Sequence, residues 1–189
     1  DHRDLHLSIR LQRQMCIRDR PWMQECSGKI IKKNELVAFD TDMIGPYAYC
    51  ADVSRTFLAG TKPTAEQNKL YSLAVEQITC NAEILKPGLS YIEFTQNSWK
   101  LPQIYFDNRY SVIAHGVGMA DEYPAILYPE DAKKSGYDGF FESGMIVSIE
   151  SYIGKVGGKE GVKLEQEYLI TEKGAELVSD KLPNNLLIQ

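Results

Sequence analysis

Between Ala114 and Pro124 the chain places one histidine, two acids and two glycines in Ala114-His115-Gly116-Val117-Gly118-Met119-Ala120-Asp121-Glu122-Tyr123-Pro124. Upstream stand Asp40-Thr41-Asp42 and Asp52; downstream stand Glu150 and Glu165. Each acid lies in or beside an apolar, strand-forming run. Five carboxylates gathered in one pocket repel one another and take up protons unless a cation offsets them. Oxygen-rich donors with a single imidazole suit a hard or borderline divalent metal, and carboxylates can bridge two ions. Taken singly, each acid reads more simply as a turn or surface residue; the ordered set does not.

The apolar content, 43% of 189 residues, is enough to bury one core. The net charge of −5 argues against a nucleic-acid surface, and no basic run interleaves with aromatics. No apolar stretch approaches the length of a membrane span, and no signal peptide is evident. Cys16, Cys26, Cys50 and Cys80 show no paired spacing, which fits a reduced cytoplasmic protein better than a disulfide framework.

Residues 1–20 stand apart. They hold five Arg and no Lys, follow no clean period, and lead into no capped element. Met15-Cys16-Ile17-Arg18-Asp19-Arg20 can be encoded by sequencing-adapter DNA. The expectation is therefore a non-native segment over 1–20 and a truncated C-terminal metal-binding catalytic domain over 21–189. The competing reading is an arginine-rich amphipathic arm. Without that segment, which contains His2 and His6, His115 is the sole histidine.

Further along, Pro21 to Ser27 reads as an entry loop. Glu35 to Phe39 predicts a strand running into Asp40. Gly45-Pro46 marks a turn, and Tyr47 to Leu58 resumes an extended pattern, so these runs are expected to pair antiparallel, with Asp52 on the partner strand. Asp40 and Asp42, two apart at a strand end, are expected to share a face. Thr64-Ala65-Glu66-Gln67 is a capping box opening a helix with Leu70, Leu73, Ala74, Ile78, Ala82 and Leu85 on one face, ended by Pro87-Gly88. Ser90 to Glu93 is a second capping box, opening a shorter helix to about Trp99. A polar, aromatic connection reaches a strand at Tyr110 to Ile113. Pro124 to Phe141 reads as a long irregular segment. Gly144 to Glu150 predicts a buried strand that Glu150 ends, Gly157-Gly158 a hairpin, and Val162 to Leu169 a further strand. Thr171 to Asp180 is expected to hold a short helix. The sum is α+β, with antiparallel strands and two helices.

The order Asp, Asp, His, Glu, Glu resembles the pita-bread metallopeptidase superfamily of methionine aminopeptidase, prolidase and creatinase. Asp52-Val53-Ser54-Arg55-Thr56-Phe57 is similar to that family's second Asp motif. Gly144 to Glu150 is similar to its GM-x-hydrophobic-x-x-E strand, and Gly161-Val162-Lys163-Leu164-Glu165 to its last-ligand strand, which usually carries Arg where Lys163 stands. The glycines Gly116 and Gly118 are expected to let the backbone pass close to the metals.

Two departures separate this chain from the peptidases. Their HGxGLxxHExP pattern has a second His before the Glu; here Asp121 takes that place. The upstream Asp is doubled in Asp40-Thr41-Asp42. A peptidase of this kind relies on additional histidines to handle protons at the tetrahedral intermediate. Both departures resemble the dimethylsulfoniopropionate (DMSP) lyase branch of the superfamily. That resemblance implies metal ligation by Asp40, Asp42, Asp52, His115, Glu150 and Glu165, with Asp121 as catalytic base and Tyr110 as an active-site tyrosine. It implies iron, as one ion or two, with zinc, manganese and cobalt as alternatives. It also implies a homodimer in the full-length protein, in which an N-terminal domain contributes to the partner's active site. Tyr47, Tyr49, Tyr123 and Trp99 are candidates for cation–π contact with a sulfonium, against the commoner role of core packing. The competing functions are a prolidase- or creatinase-like hydrolase, and a binding module that lost catalysis.

Overall fold

A computed structural model describes residues 12–14, 30–135 and 137–188 of the chain. The expectations for 1–20 and for Pro21 to Ser27 lie outside the described residues, apart from Gln12–Gln14. The elements in order are β1 (Gln12–Gln14), β2 (Leu36–Asp40), β3 (Met43–Ile44), β4 (Cys50–Ala51), β5 (Ser54–Leu58), α1 (Ala65–Ile84), α2 (Tyr91–Asn97), α3 (Gln103–Phe106), β6 (Val112–Val117), β7 (Ala125–Leu127), α4 (Pro129–Ser135), β8 (Ile146–Gly154), β9 (Gly161–Thr171), β10 (Gly174–Leu177) and β11 (Leu187–Ile188).

Two larger sheets result. One has the order β1-β2-β5-β11, the other β10-β9-β8-β6-β7, and β3 and β4 form a separate ribbon. The expected antiparallel pair is β2 with β5, in register Leu36 to Leu58 and Asp40 to Ser54. The extended run expected over Tyr47 to Leu58 is interrupted. A 3₁₀ turn at Pro46–Ala48, with Tyr47 and Ala48 both at positive φ (61° and 64°), folds β4 back onto β3. Asp52 therefore sits in the link between β4 and β5 rather than on the partner strand.

Both capping boxes form. Thr64 Oγ1 accepts from Gln67 N at 3.1 Å while Gln67 Oε1 accepts from Thr64 N at 2.8 Å. Ser90 and Glu93 repeat the arrangement at α2. Helix α1 packs across β8 and β9 and buries Leu70, Ala74, Ile78 and the flanking Leu85. Each large side chain of that face, fully buried, contributes roughly 1.5–3 kcal/mol. They join Leu58, Phe94, Ile113, Phe141, Ile149 and Leu164 in one core.

Three expectations are corrected. Four helices form among the described residues, not two. The segment from Pro124 to Phe141 contains β7 and α4; three residues are too few to show alternation, and Pro129 begins the helix, where its missing N–H costs nothing and Glu130 and Asp131 suit the dipole. The helix expected after Thr171 is a hairpin: Gly174, at φ +120°, turns the chain so that β10 pairs with β9, and Thr171 Oγ1 donates to Gly174 O at 2.9 Å.

Candidate metal centre

Strands β8 and β9 pair over their length, and the register sets Glu150 directly opposite Glu165. Glu150 lies in the middle of β8 rather than at its end. On the other side of β8, β6 sets His115 opposite Ser148. The second sheet meets this floor along β5 and β9. Thr56 Oγ1 donates to Lys163 O at 2.6 Å and accepts from Lys163 N at 3.1 Å, which locks the two sheets together. Asp40 at the end of β2 and Asp52 before β5 are thereby carried over the glutamates.

The ligand atoms of three overlapping trios each lie within 4.8 Å of one another: His115 with Glu150 and Glu165, Asp40 with Asp42 and Asp52, and Asp52 with His115 and Asp121. Together they contain all six expected ligands and the expected base. His115 Nε2 is 2.9 Å from Glu165 Oε1, 3.4 Å from Glu150 Oε1 and 3.7 Å from Asp52 Oδ2. Its Nδ1 faces Gly116 O at 3.2 Å, so an N–H there leaves Nε2 as the atom turned on the acids. Asp42, just beyond the strand end, is exposed, whereas Asp40, Asp52, His115, Glu150 and Glu165 are buried.

The electrostatics are those of an acid cluster short of positive charge. Burial, then Glu165 and Asp40, push the Asp52 carboxyl up to about 11. Burial pushes Glu150 up to about 8 against the pull of Lys163. Asp40 is raised by burial as well, while Glu165 is held below the ordinary range because Lys163, His115 and Ser148 outweigh its burial. Burial lowers His115, but the Glu165 hydrogen bond and the charges of Glu150 and Glu165 prevail and set it at about 10. Among the described residues, Asp52 Oδ1 and Asp121 Oδ1 are buried without a hydrogen-bond partner. Buried carboxylate oxygens ordinarily find donors or a cation. The donor set, the orphaned oxygens and the raised acids all fit a divalent metal, which would take the place of the protons.

Asp121 follows β6 in the loop that returns through Tyr123-Pro124 to β7. Burial raises its carboxyl, opposed by His115 and assisted by Asp42. Gly116 makes this loop possible: its N donates to Pro124 O at 3.0 Å, and a Cβ there would run into the Tyr123 carbonyl and lie 2.7 Å from Pro124 Cδ. Its missing side chain thus makes room for the loop, and a Cβ on Gly118 would meet nothing within 4 Å. Tyr110 precedes β6; its ring centroid is 5.3 Å from Lys163 Nζ, and burial keeps its phenol protonated. A groove of about 330 Å³ beside the loop is lined by Tyr49, Tyr91, Met119, Tyr123 and Phe141. Tyr47 is 92% exposed. Trp99 packs against the core and donates to Glu76 at 3.2 Å, so it takes the packing role.

Four residues of the centre were missed as participants. Lys163 Nζ contacts Glu150 Oε2 and lies 3.3 Å from Glu165 Oε2 and 3.8 Å from Asp40 Oδ2. Ser148 Oγ donates to Glu165 Oε1 at 2.7 Å; Ser54 Oγ lies against Asp40 Oδ1 and 2.8 Å from Glu165 Oε2. Glu167 Oε1 accepts from Asp52 N at 2.8 Å. Strand alternation points to three of them, since Lys163 and Glu167 are each two residues from Glu165 on β9 and Ser148 is two from Glu150 on β8, while Ser54 stands opposite Asp40 across the β2–β5 ladder.

The chain belongs to metallopeptidase family M24, whose model matches residues 14–172. The pita-bread fold is shared with the Xaa-Pro dipeptidase from Bacillus anthracis (TM-score 0.73, 25% identity, 88% of this chain and 45% of that one) and the prolidase from Pyrococcus furiosus (0.67, 26%, 84% and 45%). In sequence it is similar to the dimethylsulfoniopropionate lyase DddP of Roseovarius nubinhibens, 41% identical over 160 residues, and that of Roseobacter denitrificans, 39% identical. The match takes in 84% of this chain and 36% of each lyase, so the chain spans about a third of those relatives. Among the described residues no helix is long and apolar enough to cross a membrane.

Proposed function

We propose that the protein of which this chain forms the metal centre is a DMSP lyase. It would cleave the substrate by metal-dependent β-elimination into dimethyl sulfide and acrylate. The observation that carries the reading is Asp121: a carboxylate with a buried, unpartnered Oδ1 stands beside His115 and Asp52, where the peptidases have a second histidine. The similarity to two named lyases supports the same substrate.

Asp40, Asp42, Asp52, His115, Glu150 and Glu165 would hold the metal, for which we propose iron, as one ion or two, ahead of zinc, manganese or cobalt. A divalent ion bound there supplies Lewis-acid polarisation of the substrate carboxylate, which acidifies the adjacent C–H. Asp121 takes the α-proton. The C–H electron pair forms the new C=C bond, and the C–S pair leaves with sulfur as neutral dimethyl sulfide. Burial makes Asp121 a stronger base than an aspartate in water, and a positioned base contributes roughly 10²–10⁴-fold. Tyr110, protonated, orients the substrate, and Tyr49 and Tyr123 offer aromatic faces to the sulfonium. We further propose a cytoplasmic homodimer. Proton NMR of DMSP incubated with the intact protein should show the vinyl signals of acrylate. Intact DMSP beside a cleaved Xaa-Pro dipeptide would overturn the lyase in favour of a hydrolase.

A further inference from the structure

The two glutamates of the centre are divided in the same way. Glu150 and Glu165 each turn Oε1 toward His115 Nε2, at 3.4 and 2.9 Å, and Oε2 toward Lys163 Nζ. Lys163 is only 3% exposed, so its ammonium is solvated by these acids and not by water. Its backbone is fixed on both sides by Thr56 Oγ1, and the Tyr110 ring lies 5.3 Å from Nζ. An ammonium is a compact point charge that can serve two carboxylates with single N–H bonds. A guanidinium forks onto one carboxylate in a fixed plane. The lysine is therefore suited to holding both glutamates at once.

We infer that Lys163 is a positioning residue that fixes which oxygens this centre offers to a divalent cation. It occupies the Oε2 edges of Glu150 and Glu165 and presents their Oε1 atoms on the side of His115. It also places a fixed positive charge beside the cation it helps to position. The centre thus gives up affinity and holds a defined donor set. The inference rests on the metal-centre reading above.

The test uses manganese(II) titration by calorimetry and the visible absorption of the cobalt(II) form, on the intact protein and on Lys163→Met and Lys163→Arg. Removing the charge frees two carboxylate oxygens and a repulsion, so Lys163→Met should bind manganese about tenfold or more tightly. Its cobalt bands should shift as the donor set changes. Lys163→Arg, which keeps charge and donors, should bind manganese more weakly than Lys163→Met. If Lys163→Met does not fold, Lys163→Gln takes its place, since a neutral donor keeps the contacts and removes the charge. A folded neutral variant with unchanged affinity and an unchanged cobalt spectrum would overturn the inference and leave Lys163 a structural counter-charge. Wild-type protein that binds no manganese or cobalt would overturn the metal centre itself, and this inference with it.

Discussion

Asp121 is the residue we propose as the catalytic base, and it stands beside His115 and Asp52. Among the described residues its Oδ1 has no donor, and burial raises its carboxyl against the pull of His115 and a Glu122 backbone hydrogen bond. A base must be deprotonated to act, so kcat/KM should rise with pH along an acid limb displaced upward from that of a free aspartate. The limb should vanish in Asp121→Asn, and initial rates across a pH series check this. Gly116 has a different role at the same scale. Gly116→Ala sets a methyl against the Tyr123 carbonyl and Pro124, which obliges the loop bearing Asp121 to shift. Activity should fall at least tenfold in that variant, because misplacement by an ångström costs about 100-fold, while metal content measured on the same preparation stays unchanged.

At the scale of elements, the capping boxes and apolar spacing of α1 and α2 were legible because both signals are local. Thr64→Ala removes the acceptor for Gln67 N and should lower stability by about 1 kcal/mol in a denaturant titration. Ile78→Ala, in the middle of the face buried against β8 and β9, should cost about 2–5 kcal/mol in the same titration. The acids and His115 were legible because their order along successive strands is itself a pattern. Lys163, Ser54 and Ser148 line the same centre without being acids or imidazoles, and Glu167, although an acid, lies two residues beyond the last acid of the ordered set. The hairpin after Thr171 was missed for a local reason: one glycine at φ +120° decides between turn and helix, and the flanking Glu172 and Lys173 suit either. Pro129 lies in the segment expected to be irregular, although a proline at the first helical position can begin a helix.

Across the whole molecule, the centre draws on both larger sheets. Asp40 belongs to β2 and Asp52 precedes β5, while His115, Glu150 and Glu165 rise from β6, β8 and β9. A cation bound there ties the two sheets together and neutralises acids that burial otherwise drives toward protonation. Chelation should therefore lower the thermal midpoint as well as abolish turnover, and added iron(II) should restore both. The stabilisation should grow with free metal as the logarithm of its ratio to Kd. Calorimetry of the intact protein with and without chelator checks this; an unchanged midpoint would separate the sheet contact from any metal.

The account stands on Asp121 as the base of a DMSP-cleaving centre. The most direct measurement is headspace dimethyl sulfide from DMSP by gas chromatography, with metal content determined on the same samples, for the intact protein and Asp121→Ala. Dimethyl sulfide matched by acrylate in the wild type, and reduced roughly 10²–10⁴-fold in a variant that keeps its metal, is the expected result. A folded, metal-loaded wild type that releases no dimethyl sulfide, or a variant that releases as much, would contradict it.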